Sequence, residues 1–208
     1  MAAGDTTGAH AVGYGHHAAK ETAEERRKME MIKLSSSLGA GQFSEEVNLI
    51  TRVHAALALR NLAAGNPSNR VLVGKIPELL PFRGLVDLLK EPGEPQEAAA
   101  GAIRDLAEGN IENQTYTSRA DGIEPLVEML ITGRAAGKTI AADGIKNLSD
   151  VQQNVRQIIN AGAIEPMVEI LRSWEDDQGR SSAAAALGYL AKSSKATRVL
   201  ISVIGAIK

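Results

Sequence analysis

A pattern of apolar and small residues occurs four times along the chain. The four segments are His54–Ala63, Ala98–Ala107, Ile140–Ser149 and Ser182–Ala191. At one equivalent position they carry Arg60, Arg104, Lys146 and Gly188, at successive intervals of 44, 42 and 42 residues. A pattern that recurs at a nearly constant interval of this length is typical of repeat architectures.

Each of these segments predicts an amphipathic helix. In the first one, the small residues Ala55 and Ala58 are combined with the large aliphatic residues Leu59 and Leu62. This i, i+3, i+4, i+7 spacing places all four side chains on one face of an α-helix. The other three segments keep the same order of small and large residues, so the small positions allow close approach of neighbouring helices and the large ones fill the space between them.

Two further elements recur between these helices. The segment Asp121–Leu130 matches Gly162–Leu171, and Phe82–Leu89 is a degraded copy. Pro125 and Pro166 fall in the first turn of the predicted helices, where a missing N–H costs nothing. A shorter element precedes each, at Asn113–Ala120, Asn154–Ala161 and Thr197–Ile204. The chain therefore predicts three helices in about 42 residues, a length found in helical solenoid repeats.

The residues before the repeats predict a tail and a capping helix. Residues 1–20 are rich in Gly, Ala, Thr and His without a hydrophobic period, so we expect an extended, flexible tail. Residues 21–42 predict a capping helix and a linker, because Thr22 and Glu25 have the spacing of a capping box. The apolar stripe of that helix is Met31, Leu34 and Leu38. The solenoid is expected over residues 43–208, with an incomplete last repeat.

The repeat pattern resembles that of the armadillo-repeat family. In that family a short first helix precedes a second helix of the form A-G-A-I-x-P-L-V-x-L-L and a third of the form A-x-x-A-L-x-N-L-A. This chain has Ala161–Ile164 followed by Pro166, and Ala55 followed by Asn61–Ala63. From about Phe43 onwards, the resemblance implies an all-α fold, a right-handed α-solenoid of about four three-helix repeats. HEAT repeats compete with this interpretation, but they have two helices and lack the Gly-then-Pro signature.

Composition narrows the class of protein. The 208 residues are 44% hydrophobic and 3% aromatic, carry a formal net charge of -2 and include no cysteine. The near-neutral charge gives no reason to expect a nucleic-acid partner. The chain has no apolar run of membrane-spanning length and no secretory signal, so we expect an intracellular, non-secreted protein without a membrane span. The cytoplasm is favoured; the cilium, the nucleus, an organelle and peripheral attachment to a membrane complex stay open.

The segment Ile131–Ile140 ends like a phosphate-binding loop, with Gly137-Lys138-Thr139. Such a loop needs a glycine five residues before Gly137 and a strand before that, whereas this chain has Thr132 there, after a predicted helix. We therefore interpret the segment as a turn between a second and a third helix, in which Gly133 and Gly137 let the chain reverse. A nucleotide-binding enzyme is kept as a remote alternative.

No other group of residues predicts catalysis or a metal site. His10, His16 and His17 lie in the predicted tail without neighbouring carboxylate or cysteine ligands, and a metal site needs three or four fixed ligands. The chain also lacks the nucleophile and metal-hydrolase motifs. We expect no catalytic residues, no metal and no cofactor.

The resemblance implies that the third helices line a concave surface that binds extended peptides. The candidate partner-binding residues on this surface are Leu57, Arg60, Asn61, Arg104, Asp105, Asp143, Lys146, Asn147 and Tyr189. Asn61 and Asn147 match the asparagine of the family, whose amide can both donate and accept a hydrogen bond. Importin-alpha-like members carry a tryptophan four residues before that asparagine. The residues found here are Leu57, Gly101, Asp143 and Ala185, so binding of nuclear signals in that mode is not expected.

Arg60, Arg104 and Lys146 would form a basic row that could meet acidic side chains of a partner, as in catenin-like members. The alternative is an ordinary solvated face, in which Arg104 pairs with Glu108 and Lys146 with Asp150 at i, i+4 spacing. Both interpretations are open on the sequence alone.

The expected function is a non-enzymatic protein–protein interaction scaffold. It would be a structural or accessory subunit docked in a large multi-protein complex through its tail and its solenoid surface. An end-on interface is expected at the unfinished last repeat, at Val199, Leu200, Val203, Ile204 and Ile207. The alternative is a peptide-binding adaptor for transport or signalling. The partners would be other proteins, as acidic or extended peptide segments or as subunits of an assembly.

Overall fold

A computed structural model describes residues 14–38, 45–76, 80–172, 177–193 and 195–206, which form twelve helices and no strand. The helices are α1 (Tyr14–Ser37), α2 (Glu45–Ala63), α3 (Pro67–Gly74), α4 (Leu80–Leu89), α5 (Glu94–Ala107), α6 (Ile111–Arg119), α7 (Ile123–Thr132), α8 (Ala135–Leu148), α9 (Gln152–Asn160), α10 (Ile164–Arg172), α11 (Asp177–Ser193) and α12 (Lys195–Ala206).

The helices repeat in threes, as the sequence predicts. The third helices are α2, α5, α8 and α11, and each packs against the next in that order. The second helices are α4, α7 and α10; the first helices are α3, α6, α9 and α12. The predicted all-α solenoid of about four three-helix repeats is therefore confirmed.

The predicted face of each third helix forms the core. The large aliphatic residues Leu59, Ile103 and Ile145 are completely buried, and their counterpart Leu187 is 5% exposed. The small residues beside them, such as Ala99, are buried as well. Burial of one such aliphatic side chain contributes about 1.5–3 kcal/mol, so truncation at Ile103 would cost about 2–5 kcal/mol by leaving a cavity between repeats.

The turn between first and second helices depends on one backbone position. Asp121 and Gly162 occupy it in successive repeats, with φ of 62° and 83°. Glycine and aspartate are among the few residues that adopt this left-handed conformation at low cost. Pro125 and Pro166 follow within the first turns of α7 and α10, as predicted.

At the N-terminal end, α1 packs against α2, α3 and α4. Its side chains Met31 and Leu38 are 2% and 1% exposed, and Arg52 of α2 donates a hydrogen bond to the Leu38 carbonyl at 3.0 Å. The helix begins at Tyr14, earlier than the sequence suggested, so residues 14–20 are helical and not an extended tail. Thr22 therefore lies inside the helix, and the expected capping box does not begin it. Residues 1–13 and 39–44 lie outside the described residues.

A row of buried asparagines links the repeats along the first helices. We call Asn69, Asn113 and Asn154 the asparagine ladder. Each donates a side-chain hydrogen bond to the end of the preceding third helix, at Leu62, Leu106 and Leu148 respectively. Asn113 and Asn154 donate a second one to the first helix of the previous repeat, so a single amide joins three helices. The repeat pattern of the sequence aligned Asn113 with Asn154 but did not include Asn69, and it predicted no role for any of the three.

The neighbouring position on the first helices also links successive repeats. Arg70 is buried; it donates to the carbonyls of Ala63 and Glu108 and forms an ion pair with the Glu108 carboxylate. Its counterpart Gln114 donates to Ala107 at 2.9 Å and to Asp150 at 3.3 Å. These bonds fix the register between repeats, because they join the first helix of one repeat to the end of third helices on both sides.

Candidate functional site

The sides of α2, α5, α8 and α11 that carry the predicted partner-binding residues form one surface, which we call the third-helix face. It brings together most of those residues. Two arginines from neighbouring repeats converge on one carboxylate there. The Nε atom of Arg104 donates to Oδ1 of Asp105 at 2.7 Å, and Nε of Arg60 lies 3.5 Å from Oδ2. Arg60 lies against Gly101, where an added Cβ would be 3.1 Å from its Cδ. The absence of a side chain at Gly101 lets Arg60 lie flat along the neighbouring helix.

The charges in this cluster are layered, with the carboxylate buried and the two cations closer to solvent. The side chain of Asp105 is 12% exposed, whereas those of Arg60 and Arg104 are 35% and 23% exposed. The hydrogen bond that Arg104 donates to Asp105 raises the pKa of Arg104 above its ordinary value. A guanidinium has five N–H donors, and the contacts of both arginines to Asp105 are made by their Nε atoms. The two guanidinium groups therefore lie between the buried Asp105 carboxylate and the solvent, with N–H donors left for a ligand.

A second cluster one repeat further on has the same layering. Asp143 is buried, and its Oδ1 accepts hydrogen bonds from Lys146 Nζ at 3.0 Å and from Ser182 Oγ at 2.6 Å. The side chain of Lys146 is more exposed than that of Asp143. Asp105 and Asp143, which were predicted to face a partner, instead lie beneath the cations and hold them in place.

The expected i, i+4 ion pairs do not form. Arg104 pairs with Asp105, while Glu108 pairs with Arg70 of another helix. Lys146 pairs with Asp143, and Asp150 accepts a hydrogen bond from Gln114. The i, i+4 pairing was wrong because Arg104 and Lys146 each find a better-buried carboxylate on their own helix, at Asp105 and Asp143. Their i+4 neighbours Glu108 and Asp150 are bonded instead by side chains of first helices.

The two asparagines that match the family pattern differ in availability. Asn61 is exposed, and its amide makes no hydrogen bond within the described part of the chain. Asn147 donates to the Arg104 carbonyl at 2.9 Å, which uses one of its two amide hydrogens. Further along, Tyr189 is 40% exposed and lies under Lys192, with Nζ 5.2 Å from the ring centroid. Leu57 is half-buried against the core and contributes little open surface.

The predicted end-on interface lies on α12. Val199, Leu200 and Val203 are 54%, 42% and 52% exposed. Ile204 is half-buried against the core, and Ile207 lies outside the described residues. We call the three exposed residues the α12 end face. Lys195 and Arg198 border it.

The segment that resembled a phosphate-binding loop joins two helices. Helix α7 ends at Thr132, with Gly133 as its C-cap, and α8 begins at Ala135. No strand precedes it, so the requirement for a phosphate-binding loop is not met. Gly137, which we expected in the turn, lies in the first turn of α8; an added Cβ would be 3.0 Å from Met129 Cε. Its small size serves helix packing and not chain reversal.

Two other kinds of site are absent from the described residues. Within the described ranges, no three His, Asp or Glu side chains are grouped as metal ligands would be. Nor does any helix there combine the length and apolarity needed to cross a bilayer. His10 lies outside these ranges, and His16 and His17 are placed only as backbone positions of α1.

Comparison with known proteins bears on the fold. Scans against family models and curated proteins find no match. Among solved structures, an engineered protein shares 29% identity at a TM-score of 0.72, over 85% of this chain and 69% of its own. A designed armadillo repeat protein shares 25% identity at 0.72, over 85% and 71%. Another, solved in complex with the peptide (KR)4, shares 22% at 0.71, over 93% and 76%. The chain has an armadillo-like repeat fold.

Proposed function

We propose that this chain is a non-enzymatic protein-binding scaffold whose third-helix face holds an extended, acidic peptide segment. The observation that carries the proposal is the layering of charge. Arg60, Arg104 and Lys146 lie closer to solvent than the carboxylates that hold them, so they offer oriented donors to a ligand. Arginine donors in fixed positions suit carboxylates, which they can bind bidentately.

The exposed amide of Asn61 complements these cations. It can donate to and accept from a peptide backbone, while side chains of alternate residues in an extended peptide point the same way, towards the cations. One designed structural neighbour was solved with the basic peptide (KR)4. That likeness supports the fold alone. The more exposed charges on this face are basic, like those of (KR)4, so we propose an acidic ligand and not a basic one.

Binding of two model peptides would test the proposal. Fluorescently labelled (Glu-Ser)4 should bind to the full chain, more weakly as salt is added, whereas (KR)4 should not. The double variant Arg60→Glu with Arg104→Glu should weaken (Glu-Ser)4 binding about tenfold, since each exposed ion pair contributes up to about 1 kcal/mol. Arg83→Glu with Arg119→Glu is the matched control, because both arginines are exposed on other helices. Equal loss in the two double variants would reject the proposal.

A second candidate function, docking as an accessory subunit of a larger assembly, is favoured by the α12 end face. Val199 and Val203 align with Arg156 and Asn160 of α9, which are polar and exposed although α10, α11 and α12 follow them. Repeat stacking therefore does not explain apolar residues at these two positions, which are of the kind found in protein interfaces. Replacing both valines by serine should abolish co-purification of a subunit partner and leave (Glu-Ser)4 binding unchanged. Retention of every co-purifying protein would refute this function.

A further inference from the structure

One position on the first helices bonds each repeat to the third helix before it. Arg70, Gln114 and Arg198 all donate a side-chain hydrogen bond to a carbonyl seven residues earlier, in the last turn of a third helix. We call this the backward bond. It joins α3 to α2, α6 to α5 and α12 to α11. Because the same bond recurs in three repeats, the three side chains occupy equivalent places in the stack.

Two of these side chains also bond to the third helix of the following repeat, and we call this the forward bond. Arg70 donates to the Glu108 carbonyl at 2.7 Å and pairs with the Glu108 carboxylate. Gln114 donates to the Asp150 carboxylate at 3.3 Å. Glu108 is the C-cap of α5, and Asp150 follows the C-cap of α8. In both cases the forward partner is therefore an acidic residue at the C-terminal end of a helix.

Arg198 makes the backward bond but, among the described residues, no forward bond. Its Nη1 atom donates to the Ala191 carbonyl at 3.1 Å, and it forms no ion pair within the described ranges. Arg70 and Gln114 are 6% and 0% exposed, whereas Arg198 is exposed. A guanidinium has five N–H donors. That of Arg198 is thus anchored to α11 and has donors left for a carboxylate.

Arg198 lies beside the exposed valines of the α12 end face. A shallow depression of about 500 Å³ runs along this helix, and it is lined by Lys195, Arg198, Val199, Ser202 and Val203. Helix α12 contains no Asp or Glu, so it supplies no carboxylate to its own two cations. A partner on this face would therefore combine apolar contact with negative charge.

The third helices of a second copy of this chain do not offer such a partner. At the position of Glu108, the four third helices carry Ala64, Glu108, Asp150 and Lys192. The two acidic residues are already engaged in forward bonds within the chain, and the other two have no negative charge. The carboxylate for Arg198 is therefore expected to come from a different protein.

We propose that the face of α12 around Arg198 binds a partner helix that ends in a glutamate or an aspartate. The carboxylate takes the forward bond of Arg198, as Glu108 does for Arg70, and apolar side chains of the same helix pack on Val199 and Val203. An acidic residue is normally unfavourable at the C-terminal end of a helix, because it lies at the negative end of the helix dipole. Arg198 compensates this charge, so the position of the acid determines specificity. The partner helix would belong to the subunit assembly proposed above as the second function, on which this inference rests.

Three fluorescently labelled helical peptides, each stapled on the side opposite its leucines, test the proposal on the full chain. The acid-end peptide, Ac-QALAQALAQALE-NH2, has a glutamate at its C-terminal end. The neutral peptide has glutamine there, and the acid-start peptide has its glutamate at the N-terminal end. We expect the acid-end peptide to bind about three- to fivefold more tightly than either of the others in fluorescence anisotropy, the range expected for a partly exposed ion pair. Failure of the acid-end peptide to bind at millimolar concentration would overturn the proposal.

Two variants of the chain identify the cation that meets the acid. Arg198→Met should reduce binding of the acid-end peptide to the level of the neutral peptide and leave the neutral peptide unchanged. Arg156→Met is the matched control, because Arg156 is an exposed arginine of another first helix, at the position that aligns with Val199. It should change neither peptide. Equal weakening of both peptides by Arg198→Met, or tightest binding of the acid-start peptide, would overturn the proposal.

The paired valine variant separates this proposal from the docking function. Val199→Ser with Val203→Ser should weaken all three peptides to a similar extent, because it removes the apolar contact that they share. If that variant loses its subunit partner while Arg198→Met binds the acid-end peptide like the unaltered chain, the docking function stands and the acidic helix end is refuted. If Arg198→Met behaves as expected but no co-purifying protein is lost, the docking function fails alone.

Two measurements on the unaltered chain guard against a variant that fails to fold. Acetylation of individual lysines can be followed by mass spectrometry. The acid-end peptide should slow acetylation of Lys195, which lines the same face, at least twofold and leave that of Lys138, on α8, unchanged. Equal rates at Lys195 with saturating peptide would overturn the proposal. So would dimerisation in analytical ultracentrifugation that Arg198→Met abolishes, since the occupant would then be a second copy.

Discussion

The asparagines of the first helices and those of the third helices lie on the same stack of repeats, yet they differ in burial and in bonding. Asn113 is completely buried and donates two hydrogen bonds, to Leu106 and to Arg70 of the previous repeat. Asn147 is half-buried and donates one. Asn61 is exposed and donates none within the described residues. One residue type therefore has three different environments.

This difference in burial divides the asparagines into buried ones that stabilise the fold and exposed ones that are free to bind a ligand. A buried polar group is costly unless it is bonded, so the asparagine ladder fixes how each first helix sits on its neighbours. An exposed amide costs little and can exchange water for a ligand at little loss. The asparagine ladder therefore stabilises the register of the repeats, whereas the exposed amide on the third-helix face can exchange water for a ligand. Substituting each residue separately should reveal this division.

The largest loss of stability is expected for Asn113→Ala. Two buried carbonyls lose their donor and a small void forms, so the free energy of unfolding should fall by about 2–3 kcal/mol. Urea unfolding followed by circular dichroism measures it. Thr115→Ala on the same helix is the control, because that hydroxyl bonds only within its own helix, to Ile111, and should change stability by about 0.5 kcal/mol or less. Equal losses would show that the ladder has no special role.

A smaller loss is expected for Asp105→Ala, which removes the carboxylate between Arg60 and Arg104. Two like charges would then face each other over a partly buried site, so we expect a loss of about 1–2 kcal/mol. Because Asp105 raises the pKa of Arg104, this contribution to stability is fully present below the ordinary pKa of an arginine and is lost only as the pH rises above it. It should therefore not vary around neutral pH.

Asp87→Ala provides the matched control for Asp105→Ala. Its carboxylate pairs with Lys90 on an open surface, where both side chains are at least 60% exposed. Such pairs contribute about 0–1 kcal/mol, so the loss should be the smaller of the two. If Asp87→Ala proved the more destabilising, the layered cluster would not be the anchor of the third-helix face.

Asn147→Ala should have a weak effect. It removes one hydrogen bond to the Arg104 carbonyl, a loss of about 1 kcal/mol, but alanine favours the helix by roughly half that amount. A net loss of about 0.5 kcal/mol is therefore expected in urea unfolding. A loss as large as that of Asn113→Ala would mean that the third-helix asparagine belongs to the stabilising group.

The smallest effect on stability is expected for Asn61→Ala. Because this amide is exposed and unbonded, alanine should leave stability unchanged or raise it by up to about 0.5 kcal/mol through its helix propensity. The same variant should weaken binding of (Glu-Ser)4 measurably. Lower stability together with unchanged peptide binding would reverse the proposed division between the two sets of asparagines.

The features that could be predicted from the sequence are local ones. The interval between repeats, the buried faces of the third helices and the prolines of α7 and α10 were predictable, because each is a pattern within one or two turns of helix. The ion pairs of Arg104 and Lys146 were mispredicted, because Asp105, Asp143 and residues of other repeats compete with their i+4 neighbours. The early start of α1 at Tyr14 was missed because its first turns are rich in Gly and His, which favour helices weakly.

The sequence by itself determined the repeat, its three helices and the side of each helix that is buried, since hydrophobic periodicity specifies these before any tertiary contact forms. Only the tertiary structure decided which polar residues bond to each other. Asn61, Asn113 and Asn147 are chemically identical, and their roles differ because neighbouring helices bring carbonyls to two of them and not to the third. Likewise, Lys138 and Thr139 resemble part of a loop motif in the sequence, whereas in the structure they line a cleft between two stacked repeats.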